Sequence, residues 1–151
     1  MNRTLGYWFE RLLGYAIGIF LTIFAYKYYS SCDFIFNSSF LDKVISICST
    51  LFGFLLAILT LLLQGNSPTV NAMKLHGSYN RLINFNKITV LSAILTCTLS
   101  LIITFASPVI ITLSEDIFKI LVVLNFGMFG FVLINTVIFT LIFYKIVIAD
   151  Q

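Results

Sequence analysis

Apolar positions gather in four long blocks with short polar stretches between them. The blocks run from Leu12 to about Tyr29, Val44 to about Gln64, Ile88 to about Leu113, and about Ile117 to Tyr144. A helix that crosses the hydrocarbon of a bilayer needs about 20 apolar residues, and each block is near that length. No period-2 alternation runs through them, which argues against a membrane β-barrel. The pattern predicts an all-α fold: a polytopic membrane four-helix bundle, with residues 1–151 forming a single transmembrane domain. Lys27 interrupts the first block near its end, where its stem reaches the headgroups.

Polar residues mark the ends of the blocks. Ser39-Phe40-Leu41-Asp42 reads as a capping box before the second helix. Gly65, followed by Pro68, reads as a stop after it. Ser114-Glu115-Asp116 places a cap and two acids where the dipole of the fourth helix favours negative charge. Pro108 either ends or kinks the third helix. Tyr29-Ser30-Ser31-Cys32 only faintly resembles a cleavage site, and an uncleaved first helix is the expectation.

Composition narrows the setting. The chain is 60% hydrophobic and 10% charged, with a mean hydropathy of +1.04. A soluble domain is about half apolar and about a quarter charged. These values exclude a soluble enzyme, a nucleic-acid-binding domain and a disordered tail. Charge placement then sets the orientation. Arg3, Arg11, Lys74, Arg81, Lys87 and Lys145 fall on the side shared by both termini, and Lys27, Lys43 and Lys119 on the other. The basic excess predicts both termini in the cytoplasm of a bacterial inner membrane. Tyr7, Trp8, Phe9 and Tyr144 fall at the inner interface, and Tyr26, Tyr28 and Tyr29 at the outer one.

Catalytic chemistry has no foothold in the sequence. No ionisable residue lies deep in a block, whereas proton relays and coupled transport rest on such residues. His76 is the single histidine, with no cysteine nearby and no acid in its loop, so a zinc site lacks ligands. The glycines at 14, 18, 127 and 130 lie in apolar helices and not in a phosphate loop. The expectation is a non-enzymatic protein with no cofactor, no metal and no direct contact with nucleic acid. Cys48 and Cys97 are expected at depths that differ by roughly 15–20 Å, too far apart for a bridge.

Candidate contact surfaces are clearer. The second helix carries Ser46, Thr50, Gly53, Ala57, Thr60 and Gln64 at spacings of 4, 3, 4, 3 and 4. That is a heptad seam of small and polar residues. The third helix has a looser counterpart in Thr89, Ala93, Thr96, Ser100 and Ser107. Such faces either pack helices two and three within one subunit or line a hydrated path in an oligomer. Gly14-x-x-x-Gly18 is an association motif, for a subunit contact or an intrachain one. Asn125 and Asn135 point in directions about 80° apart; one of them is expected to hold the bundle and the other to face a neighbour or a pore.

The loop of residues 65–87 holds Lys74, His76, Arg81 and Lys87 and no acid. It fits an interfacial segment, in which Tyr79, Leu82 and Ile83 rest on lipid while the cations meet anionic headgroups. It also fits a docking surface for a soluble partner.

The short N-terminus, the run Ser49-Thr50-Leu51-Phe52-Gly53-Phe54-Leu55-Leu56-Ala57 and the basic stretch Lys74-Leu75-His76-Gly77-Ser78-Tyr79 together give the chain a family look. It resembles small four-helix membrane components of bacterial antiphage defence, such as those of the Rex and Kiwa systems. The resemblance implies a homo-oligomeric inner-membrane protein that acts with a soluble cytoplasmic partner. Such a protein senses membrane disturbance or forms a depolarising pore. Two other readings stay open: a holin-like channel, and a structural accessory subunit of a membrane complex.

Overall fold

The computed structural model describes residues 3–29, 38–64, 68–75 and 77–149. These form five helices: α1 (Arg3–Lys27), α2 (Ser38–Gln64), α3 (Pro68–Leu75), α4 (Ser78–Leu113) and α5 (Glu115–Ala149). Three contain stretches long and apolar enough to cross a membrane, Ser39–Gln64, Tyr79–Ile111 and Glu115–Ile148. The apolar part of α1, Leu12–Lys27, is shorter. The described residues are helical almost throughout, and the three long apolar helices mark a membrane protein.

The long helices pair in series. α1 lies along α5, α5 along α4, and α4 along α2, which also touches α5. The register is antiparallel in the first and last pairs. Gly14 meets Asn135 while Thr22 meets Gly127. Asn86 bonds the Leu55 carbonyl while Tyr79 bonds that of Leu62. α4 and α5 form a hairpin with one intervening residue. Ser114 is extended, at φ −168° and ψ 119°, and its amide closes α4 on the Ile110 carbonyl. Its hydroxyl accepts from the Ile117 amide at 3.5 Å, so Ser114 starts α5 as its position before two acids foretold.

α4 passes through Pro108 instead of ending there. Proline has no amide to donate to the Thr104 carbonyl one turn back. The Ser107 hydroxyl donates to that carbonyl at 3.2 Å, so the freed group has a partner in an apolar setting.

The stretch of residues 65–87 departs most from expectation. Its described residues, 68–75 and 77–87, form a helix, a turn and the first turns of α4. Pro68 sits at the first position of α3, where a missing amide costs nothing. Gly77 makes the turn at φ 69°, a left-handed conformation that costs other residues roughly 1–2 kcal/mol. Leu82 does not rest on lipid: it is buried with Leu55, Ile58, Leu62 and Phe139, and Phe85 packs on the same cluster. Tyr79 and Ile83 are half-buried. α2 begins at Ser38, which puts the expected cap, Ser39, inside the helix.

Two apolar clusters hold the ends. One, at the α3 end, joins α2, α4 and α5 and takes Met73 from α3. The other joins Leu41, Ile103 and Val122 near the hairpin end. Lipid is as apolar as leucine, so these contacts act through close packing more than through exclusion of water.

Candidate functional site

α2 carries two heptad seams. The buried one is Leu41, Val44, Cys48, Leu55, Ile58 and Leu62. The small and polar one, Ser46, Thr50, Gly53, Ala57, Thr60 and Gln64, is shifted by two residues, which on a helix is about 200°. The two seams therefore point in opposite directions, and only one of them can meet α4. The small and polar seam is exposed along its whole length. A Cβ placed at Gly53 would meet nothing within 4 Å. The Thr50 hydroxyl donates to the Ser46 carbonyl at 2.9 Å, and that of Thr60 to the Leu56 carbonyl at 3.0 Å. Packing of this seam against the next long helix is thus corrected: it is an outward face.

The looser face on α4 behaves in the opposite way. Thr89, Ala93, Thr96 and Ser100 are buried, and Ser107 is half-buried. Asn125 of α5 reaches this face. Its Nδ2 donates to Ser100 Oγ at 2.7 Å and to the Thr96 carbonyl at 3.3 Å.

Asn135, 2% exposed, turns to α1 instead. A Cβ at Gly14 would collide with its side-chain oxygen. Neither asparagine faces a neighbour or a pore; both are interior, on the two sides of α5. The GxxxG motif is likewise an intrachain contact. Gly18 lies against the Gly127 carbonyl and Phe131, with 3.2 Å from its ideal Cβ to each. The Tyr15 and Phe131 rings meet nearby at a tilt of 40°, their centres 4.9 Å apart.

Asn86 was legible only as one of several loop asparagines. It is fully buried, and its Nδ2 donates to the Leu55 carbonyl at 3.1 Å. The signal was the run Leu82, Asn86, Thr89, Val90, Ala93, which carries the helix period back through Lys87. The side-chain oxygens of Asn86, Asn125 and Asn135 are buried without a hydrogen-bond partner.

The cysteines also need correction. Ser49 Oγ lies 3.7 Å from Cys97 Sγ, so Cys48 and Cys97 belong to the same level of the α2–α4 pair. The span boundaries had misled because α4 runs past the start of α2. Both thiols are free.

Lys74, Arg81 and Lys87 are exposed, the first two at the α3 end and Lys87 level with Leu55, whose carbonyl Asn86 bonds. Lys74 Nζ stands 5.3 Å from the Tyr79 ring centre, and the Tyr79 hydroxyl donates to the Leu62 carbonyl at 3.3 Å. Lys74 thus sits on a cap fixed to the end of α2. His76 lies outside the described residues. At the hairpin end, Lys119 Nζ is 4.7 Å from the ring centres of both Tyr26 and Tyr29, clamping α5 to the end of α1. On another side, α1, α4 and α5 line an open groove of about 260 Å³ beside Tyr15, Ile19, Ser92, Leu124 and Met128.

No protein-family model, curated protein or solved structure matches this chain.

Proposed function

We propose that this chain is a non-enzymatic inner-membrane subunit, a sensor or effector of a bacterial phage-defence system. It works as a homo-oligomer joined through α2 and meets a soluble cytoplasmic partner at the α3 end. In this reading α1, α2, α4 and α5 cross the bilayer as a four-helix unit with both termini in the cytoplasm. The positive excess at the α3 end supports that orientation. The observation that carries the oligomer is the exposed seam from Ser46 to Gln64. A helix face of small residues lets a second backbone approach closely, and the hydroxyls add bonds across. Defence is the biological setting that the family resemblance implies.

A second reading draws on the same seam. Copies arranged with Thr50, Gly53, Ala57 and Thr60 inward would enclose a pore, because small side chains leave room and hydroxyls hold water.

One experiment separates these readings. Gly53→Leu should leave the folding midpoint of the purified chain unchanged, since its Cβ meets open space, yet convert the oligomer in nanodiscs to monomer. Cells carrying this variant with its partner should lose phage protection. Neutralising Lys74, Arg81 and Lys87 together should keep the oligomer and lose protection. Full protection by both variants would overturn the proposal. Ion flux from liposomes that Gly53→Leu abolishes would favour the pore over the sensor.

A further inference from the structure

The four long helices differ in apolar reach at the hairpin end. α1 meets its first charge there at Lys27, whose Nζ stands 5.9 Å from the Tyr28 ring centre. α2 meets its first charges at Asp42 and Lys43, both exposed. Leu41, next to them, clusters with Ile103 of α4. Lys119 of α5 is level with Tyr26 and Tyr29. These residues together form one charged and aromatic ring, the mark of a membrane interface.

The hairpin does not stop at that ring. α4 continues from Ile103 to Leu113 with no charge at all, and the next charges in sequence are Glu115 and Asp116, beyond the turn. The overhang is ten residues on α4, 104–113, and four on α5, 115–118, roughly 6–15 Å at helical rise. Apart from Glu115 and Asp116, exposed at its tip, its surface is apolar: Phe105 is 80% exposed, Val109 61% and Ile117 53%. On α4 this surface continues the exposed row of Leu95, Thr98, Leu101 and Ile102, in which the Thr98 hydroxyl donates to the Ile94 carbonyl at 2.9 Å. At the other end Tyr79 near the start of α4 bonds the last turn of α2, and the charge that borders the apolar stretch of α4, Lys87, is level with Leu55, whose carbonyl its neighbour Asn86 bonds.

We propose that outer-leaflet lipid covers this overhang, and that the step between the short pair, α1 and α2, and the long pair, α4 and α5, reads bilayer thickness. Acyl chains thick enough to wet the hairpin overreach the ring of Lys27, Asp42, Lys43 and Lys119. Chains matched to the ring leave Phe105, Val109 and Ile117 in water. Mismatch costs fractions of a kcal/mol per Å, so no bilayer satisfies both pairs, and a change of thickness moves the balance between them. This gives the sensor reading its stimulus, and it rests on the chain crossing the membrane.

Single-cysteine versions of the full chain test it, with the native cysteines replaced. Val109→Cys and Ile117→Cys report the overhang on its two helices, Lys43→Cys the ring, and Leu95→Cys the mid-span. Each is reconstituted in short-chain (dimyristoleoyl) and long-chain (dierucoyl) phosphatidylcholine vesicles and treated with a membrane-impermeant maleimide. Both overhang positions should label roughly tenfold faster in the thin bilayer. Lys43→Cys should label in the thin bilayer and slow in the thick one, and Leu95→Cys should resist in both. Overhang labelling that ignores thickness, whether fast or absent, overturns the proposal alone. Fast labelling of Leu95→Cys overturns the membrane-crossing reading beneath it.

Discussion

Gly127→Ala should cost about 1–3 kcal/mol of stability, as overpacking of a close-fitted interface does. A Cβ at this position would strike the Thr22 hydroxyl and come within 2.8 Å of the Gly18 carbonyl. Thr22 is itself held, because its hydroxyl donates to the Gly18 carbonyl at 2.8 Å. The new methyl therefore disturbs both the backbone contact and the hydrogen bond. Thr22→Ala in the same chain should recover only part of the loss, because the Gly18 carbonyl cannot move without shifting α1. α1 is the helix at stake: its main partner is α5 alone, and most of its other large side chains are exposed. Titration of the folded fraction against SDS in mixed micelles measures the cost. A Gly127→Ala midpoint equal to that of the unaltered chain would contradict the α1–α5 register. Gly53→Ala, which faces open space, should stay within about 1 kcal/mol of the unaltered chain in monomeric micelles.

Asn125→Ala should destabilise the chain by about 2 kcal/mol, from two lost interhelical bonds and a small void. Ser100→Ala should cost less, since the Thr96 carbonyl remains available to Asn125. The double-mutant cycle should give a coupling of about 0.6–1.7 kcal/mol, the range of side-chain bonds between membrane helices. Strictly additive losses would mean that the 2.7 Å bond to Ser100 carries no energy. Asn125→Leu should be milder than Asn125→Ala. Leucine fills the space and removes the buried oxygen that now lacks a partner, and burying such an atom costs roughly 1–3 kcal/mol.

Much of the architecture was legible from local rules. The spans centred on residues 44–64, 88–113 and 117–144 all lie in helices, because apolar length and uninterrupted backbone bonding are properties of each segment. Ser114, Glu115 and Asp116 marked the start of α5 for the same reason. The segment before Ile88 was misread because its charges mask its period. Lys74, Arg81 and Lys87 look like a loop on water or lipid, yet Leu82 and Asn86 keep a buried face through them.

Candidate contact residues were found by type and spacing, but not by direction. Thr50 and Thr96 both belong to small and polar faces on neighbouring helices. One is exposed, and the other is buried beside Asn125. Gly18 and Gly53 are both helical glycines; one touches a facing carbonyl, the other touches nothing.

By itself the sequence determined that the chain is helical and holds segments long and apolar enough to cross a membrane. Each of these follows from what a single segment must do with its own backbone groups and side chains. Only the tertiary structure decided which seam of α2 turns outward, that Gly14 and Gly18 are spent on α5, and that the α4–α5 hairpin outreaches its neighbours. In lipid an apolar face is at home both inside and outside, so hydrophobicity does not choose the buried side. Interlocking shape, the partner of each buried amide and the relative register of antiparallel helices make that choice, and all three exist only between segments.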